Sequence, residues 1–302
     1  MKRFFALSRT SHGVLDLATP AFCALLWGGR FPDWNVIVLS VFTAFAAYTA
    51  IYALNDLIGM AMDREKFSKS ALNTGYSVEA SELRYPLARN ILSFKSGLLW
   101  IGFWLTLALV GSYLLNPIIV FILLAATILE IIYCLLLKVT YLRTLVSGLV
   151  KASGPIAAVF VVDPHPSLTS LLILLTWVFF WEIGGQNVPA DWNDTAEDIG
   201  INAKTIPIHF GPERAALIVL AALTITVIAS VFLPLISPAP LGVPYILASL
   251  IIGFALLLQP SFQLKKNKDG RYAAKLFDKA SYYPVAQFAL IAVILVVTTV
   301  IS

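Results

Sequence analysis

Two short acidic segments hold the residue types most suited to chemistry in this chain. One is Asn55-Asp56-Leu57-Ile58-Gly59-Met60-Ala61-Met62-Asp63, and the other is Asp191-Trp192-Asn193-Asp194-Thr195-Ala196-Glu197-Asp198. Each closes a long apolar run. A carboxylate taken out of water without a partner costs several kcal/mol, so two such clusters at the ends of hydrophobic helices point to a shared counter-ion. Oxygen-only ligands suit a hard cation such as Mg²⁺, which keeps several waters and commonly bridges protein carboxylates to phosphates. A diphosphate is the natural guest. For either cluster alone, carboxylates solvated in a loop or paired with nearby Lys and Arg are the ordinary alternative. Two clusters on one membrane side make that reading harder to hold.

The elements that must position these residues are membrane helices. Of the 302 residues, 59% are hydrophobic and only 13% are charged. With a mean hydropathy of +0.84, this excludes an ordinary soluble domain. Apolar runs fall at about residues 14–29, 36–58, 97–115, 117–137, 144–162, 168–188, 214–236, 243–259 and 282–301, which predicts an all-α, single-domain protein (1–302) with nine transmembrane helices. The first run is short and holds Pro20, and its Asp16 speaks against a cleaved signal peptide. With the N-terminus in the cytoplasm, only Arg30 of the 21 Lys and Arg lies outside and Lys151 lies within a run. The positive-inside rule therefore puts both acidic clusters on the cytoplasmic face. The net charge of +4 follows from that topology and an anionic ligand, not from nucleic acid. Cys23 and Cys134 have no metal-ligand spacing.

Sliding one cluster over the other places Asp56, Gly59 and Asp63 on Asp191, Asp194 and Asp198 at a constant offset of 135 residues. This suggests two similar helical halves whose clusters meet across a pseudo-twofold axis. At about 100° per residue, Asn55, Asp56, Gly59 and Asp63 share an arc of about 100°. Asn187, Asp191, Asp194 and Asp198 span only about 60°, so each cluster is expected to present one polar face.

These residues resemble the UbiA superfamily of intramembrane prenyltransferases, in which nine helices surround a cavity bearing two Asp-rich motifs. Asn55-Asp56-x-x-Gly59-x-x-x-Asp63 is similar to the family's first motif except at its middle carboxylate, and Asp194-x-x-x-Asp198 to its second. Ala203-Lys204-Thr205-Ile206-Pro207 with Gly211, and Arg84-Tyr85-Pro86-Leu87-Ala88-Arg89, resemble two further family segments. Tyr133 and Lys138 fit a family Tyr–Lys pair at a spacing of five where four is expected. Gly59 leaves the number of metal ions open, with Asp56 as a substitute ligand.

The resemblance implies a Mg²⁺-dependent transfer of a polyprenyl group from an allylic diphosphate to an acceptor, most often aromatic, as in quinone biosynthesis. Metal ions held by Asn55, Asp56, Asp63, Asp191, Asp194 and Asp198, with Arg64, Lys138, Lys204 and Arg84 on the diphosphate, would neutralise the leaving group. Tyr133 would shield the cation. Lys151, which needs a counter-charge within its helix, and Arg9, before the first run, are further diphosphate candidates. Glu130 and Glu182 lie inside apolar runs and are functional candidates by position alone. The alternatives are geranylgeranyl transfer to a glycerol phosphate ether, a UbiA-like terpene cyclase, and a cation-coupled transporter with its site at a repeat interface.

Overall fold

A computed structural model describes residues 1–69 and 85–301. Among them every regular element is helical. In chain order these are α1 (Lys2–Leu7), α2 (Thr10–Asp16), α3 (Ala18–Gly28), α4 (Trp34–Lys69), α5 (Phe94–Leu115), α6 (Pro117–Leu135), α7 (Arg143–Val162), α8 (Leu168–Trp181), α9 (Val188–Asn193), α10 (Thr195–Gly200), α11 (Ile206–Phe232), α12 (Gly242–Gly253), α13 (Gln259–Asn267), α14 (Gly270–Ser281) and α15 (Tyr283–Ile301). Short polar residues set the starts. Ser93 Oγ accepts from Ser96 N (3.2 Å), Asn116 Oδ1 from Ile118 N (3.0 Å) ahead of Pro117, and Ser167 Oγ from Ser170 N (3.2 Å), each satisfying an amide the helix itself leaves unpaired.

Eight stretches among the described residues are long and apolar enough to cross a membrane. The ninth expected run is present but broken. Arg9 takes a left-handed conformation (φ 45°) ahead of α2, and the chain turns again at Leu17. The 11 residues of α3 reach only about 17 Å at 1.5 Å per residue, short of the ~30 Å apolar core of a bilayer. The consequence is local: Asp16 ends α2 inside the bundle, 4% exposed, instead of lying at its surface. In contrast, the 36 residues of α4 reach about 54 Å, so its Asp63 end extends past the apolar layer.

Two changes of pitch shape the second half. Glu182–Asn187 forms a π turn between α8 and α9. It is packed closely because Gly184 and Gly185 lack side chains: an added Cβ would lie 2.8 Å from Leu223 and 2.9 Å from Ala280. Pro189 withdraws a donor from the next turn, and Gly185 O accepts from Gln186 Nε2 at 3.2 Å. Gly211, with φ 74° and ψ 169°, breaks the first turn of α11 from the rest. The aromatic residues of α8 serve packing. Trp177 and Trp181 are fully enclosed, donating to Tyr283 Oη and to Ala280 O at 3.0 Å each.

Candidate active site

One end of the bundle collects both acidic segments. Lys66, near the end of α4 and 8% exposed, reaches Asp198 Oδ1 on α10 at 2.6 Å. It sits in the field of Asp198, Asp194 and Asp63 together, so one ammonium joins carboxylates of both motifs. Burial pushes the Asp198 carboxyl above the ordinary carboxylate range, against the pull of Lys66. Arg143, at the start of α7, donates to Asp191 Oδ1 at 3.0 Å, and its guanidinium lies 4.0 Å from the centre of the Tyr133 ring. Tyr133 Oη accepts from Asn187 Nδ2 at 2.9 Å. Asn55 donates to Glu130 Oε1, and Arg9 lies 3.4 Å from Asp56 Oδ1. Two oxygens, Asn187 Oδ1 and Asp191 Oδ2, are buried with no hydrogen-bond partner.

Below this end opens a cavity of about 570 Å³. Asn55, Glu130, Tyr133 and Asn187 line its charged end, while Ile51, Ala44, Leu123 and Ala157 represent its apolar length. Such a space accepts an anionic head among cations and carboxylates and a hydrocarbon tail among aliphatic side chains.

The sequence-predicted residues take distinct places. Asn55, Asp56 and Arg9 gather where α2, α4 and α6 meet. Asp63, Asp194 and Asp198 gather around Lys66. Asp191 belongs to Arg143. Gly59 leaves room that the Asp63 carboxylate borders, since a Cβ there would lie 3.3 Å from Asp63 Oδ2. Lys138 faces Glu65 on α4 at 2.5 Å while Tyr133 faces Asn187. A single 3₁₀ turn, Leu136–Lys138, separates them, so the spacing of five sends the two side chains to different partners. Lys204 is exposed, its backbone N–H donating to Leu137 O at 2.7 Å. Arg64 donates to Asn90 Oδ1 at 2.9 Å. Lys151 lies deeper, 2.6 Å from Asp16 Oδ2. Arg84 lies outside the described residues. The single 60° arc expected of Asn187, Asp191, Asp194 and Asp198 does not form, because the π turn ends at Asn187 and the helix breaks at Asp194.

Sequence reasoning passed over Arg143 and Asp16 as site residues. For Asp16 a signal existed: it and Lys151 are opposite charges within apolar runs, and a charge at membrane depth needs its partner named. Arg143 read only as one more positive residue at a helix end.

The chain's sequence matches the profile of the UbiA prenyltransferase family over residues 17–297. The chain belongs to that family. Among solved structures it is similar to a UbiA homologue from Aeropyrum pernix K1 (TM-score 0.72, 17% identity, covering 94% of this chain and 98% of that one). It is also similar to a UbiA homologue from Archaeoglobus fulgidus bound to DMAPP and Mg²⁺ (TM-score 0.67, 17% identity, 96% and 99%). A third is a digeranylgeranylglyceryl phosphate synthase structure (TM-score 0.63, 18% identity, 97% and 97%). No curated protein matches in sequence. In this UbiA-family prenyltransferase, Lys66 supplies positive charge among carboxylates of both acidic segments.

Proposed function

We propose that this protein transfers a prenyl group from an allylic diphosphate to an aromatic acceptor, with Mg²⁺, at a cytoplasm-facing site in the membrane. The observation that carries this reading is the junction of the two acidic motifs through Lys66 and Asp198, with Arg143 holding Asp191 and lying over the Tyr133 ring that lines the apolar cavity.

The residues fit Mg²⁺. Among the described residues no three His, Cys, Asp or Glu side chains converge as a preformed metal cluster, but Mg²⁺ typically takes only one or two carboxylates and leaves its remaining positions to water and substrate phosphates. The donors are all oxygens, and the buried unpartnered Asn187 Oδ1 and Asp191 Oδ2 are what such an ion needs. Asn55, Asp56 and Asp63 on one side, with Asp191, Asp194 and Asp198 on the other, would hold it. When bound, it would neutralise negative charge building on the leaving diphosphate.

This chain's own side chains do the rest. Arg9 and Lys66 add fixed positive charge beside the diphosphate, with Lys138, Lys204 and Arg64 at the same end. Glu130 holds Asn55 in place, and Asn187 with Arg143 fixes the Tyr133 ring at the cavity wall. The electron-rich ring face steadies the allylic cation as the carbon–oxygen bond breaks. The aliphatic walls exclude water until the acceptor attacks.

Diphosphate release from geranylgeranyl diphosphate by purified protein, with and without Mg²⁺ and across aromatic acceptors and a glycerol phosphate ether, tests the reading, with Asp198→Ala as control. Release that requires Mg²⁺, Asp198 and an aromatic acceptor supports it. Acceptor-independent release would replace it with cyclisation, and preference for the ether would replace the acceptor class.

A further inference from the structure

A second polar cluster faces the same cavity away from the acidic motifs. Asp16 takes hydrogen bonds from Lys151 Nζ (2.6 Å) and Tyr52 Oη, and His12 Nε2 lies 3.8 Å away. Across the cavity wall, Glu182 on the π turn accepts from Ser147 Oγ through Oε1 at 2.6 Å. Its other oxygen, Oε2, is buried with no hydrogen-bond partner, in a side chain only 7% exposed. Tyr48 Oη is likewise enclosed and unpartnered. It is pressed toward Gly154, where a Cβ would lie 2.7 Å away. An enclosed carboxylate oxygen left without a donor carries an unrecovered desolvation penalty, and both Glu182 and Tyr48 line the cavity.

We propose that Glu182 and Tyr48 form the acceptor subsite, and that the acceptor is an uncharged hydroxyaryl compound whose hydroxyl donates to Glu182 Oε2 while a second polar atom meets Tyr48 Oη. This deepens the prenyltransferase reading and rests on it. The charge inventory decides against a phosphate-bearing acceptor. Of the lysine and arginine side chains lining the cavity, Lys151 faces Asp16, and Arg9, beside Asp56, stands at the end that takes the donor's diphosphate, whereas the carboxyl groups of Asp16, Glu130 and Glu182 lie around this space. A phosphate carries close to two negative charges at neutral pH and would meet acidic oxygens with each nearby cation already committed.

The walls favour a flat ring. Tyr48 and Tyr52 stack at 6.3 Å, His12 meets Tyr52 edge-on at 5.9 Å, and His12 stacks on Phe277 at 5.3 Å. Rings arranged this way offer both faces and edges to an aromatic guest. The Asp16–Lys151–Tyr52 network holds the ring of Tyr52 in place.

The test is steady-state kinetics of wild type, Glu182→Gln and Tyr48→Phe with geranylgeranyl diphosphate, using hydroquinone and a glycerol phosphate ether as acceptors. Glu182→Gln replaces one acceptor oxygen with a donor nitrogen at unchanged size, and Tyr48→Phe removes a single hydroxyl. Each variant should lower kcat/KM for hydroquinone about tenfold or more, the worth of a hydrogen bond to an enclosed polar group. The loss should appear as a raised KM for hydroquinone with KM for geranylgeranyl diphosphate within about twofold, whereas a smaller folded fraction lowers kcat and leaves both KM values unchanged. Unchanged acceptor kinetics in both variants would overturn the subsite while leaving the prenyltransferase reading intact, and a wild type that prefers the phosphate ether would overturn the subsite and the aromatic acceptor class while leaving prenyl transfer itself standing. No Mg²⁺-dependent transfer by wild type to either acceptor would overturn both.

Discussion

Replacing Lys66 by Met removes the ammonium that lies 2.6 Å from Asp198 among the field of Asp194 and Asp63. Breaking a buried ion pair from one side costs about 3–5 kcal/mol, because the remaining charge is left uncompensated. At about 2 °C per kcal/mol for a chain of this size, the metal-free variant should melt roughly 6–10 °C below wild type. Mg²⁺ changes the comparison, since in the variant it meets carboxylates that no longer hold a resident cation. At a hundredfold excess over its Kd, an ion that binds only the folded state adds about 2.7 kcal/mol, enough to recover most of the loss. The assay is thermal unfolding in detergent, in EDTA and across a Mg²⁺ series, read by tryptophan fluorescence. Mg²⁺ should raise the midpoint of Lys66→Met more than that of wild type. Equal shifts in the two proteins would refute the reasoning, because Lys66 and the metal would then not share the same carboxylates.

Arg143→Met should destabilise the fold by about 3–5 kcal/mol through the stranded Asp191 carboxylate, whereas Arg143→Met/Asp191→Leu should lose less than the single variant; thermal midpoints of the set measure the coupling. Gly211→Ala should cost about 1–3 kcal/mol, since its φ of 74° and ψ of 169° suit glycine alone and no atom lies within 4 Å of an added Cβ; chemical unfolding reads a conformational cost free of clash. Gly59→Asp should lower the midpoint in EDTA by placing a carboxylate against Asp63 and tighten Mg²⁺ binding measured by calorimetry, because the metal relieves that repulsion.

The membrane class was legible because hydropathy reports burial in lipid directly, and the acidic motifs were legible because carboxylates are so out of place at the ends of apolar runs. Along the first motif the fixed step per residue applies because α4 is continuous from Asn55 to Asp63, although the two side chains meet different partners. The second motif obeyed no such rule. A π turn and a break at Asp194 alter the advance per residue, and neither leaves a periodic mark that a fixed 100° step can register. Partners distant in sequence were least legible. Lys66 could have served any carboxylate or water, and only packing of α4 against α10 selects Asp198. The break in the first apolar run left no mark in its composition, which suits a span although the turn at Leu17 divides it.

The cavity-facing stripe of α4 runs Trp34, Ile37, Val41, Ala44, Tyr48, Ile51 and Asn55, one or two contacts for each helical turn over 21 steps of chain. At 1.5 Å per residue that is about 31 Å, close to the apolar thickness of a bilayer. Under the proposed function the wall would be graduated, with Asn55 as its zero mark and each successive side chain a notch farther from it. A bulky residue at Ala44 would act as a stop for a long chain and leave a short one untouched, while the same change at Ile37 would matter only to the longest. Donor selection then becomes a question of where along one helix the ruler is cut.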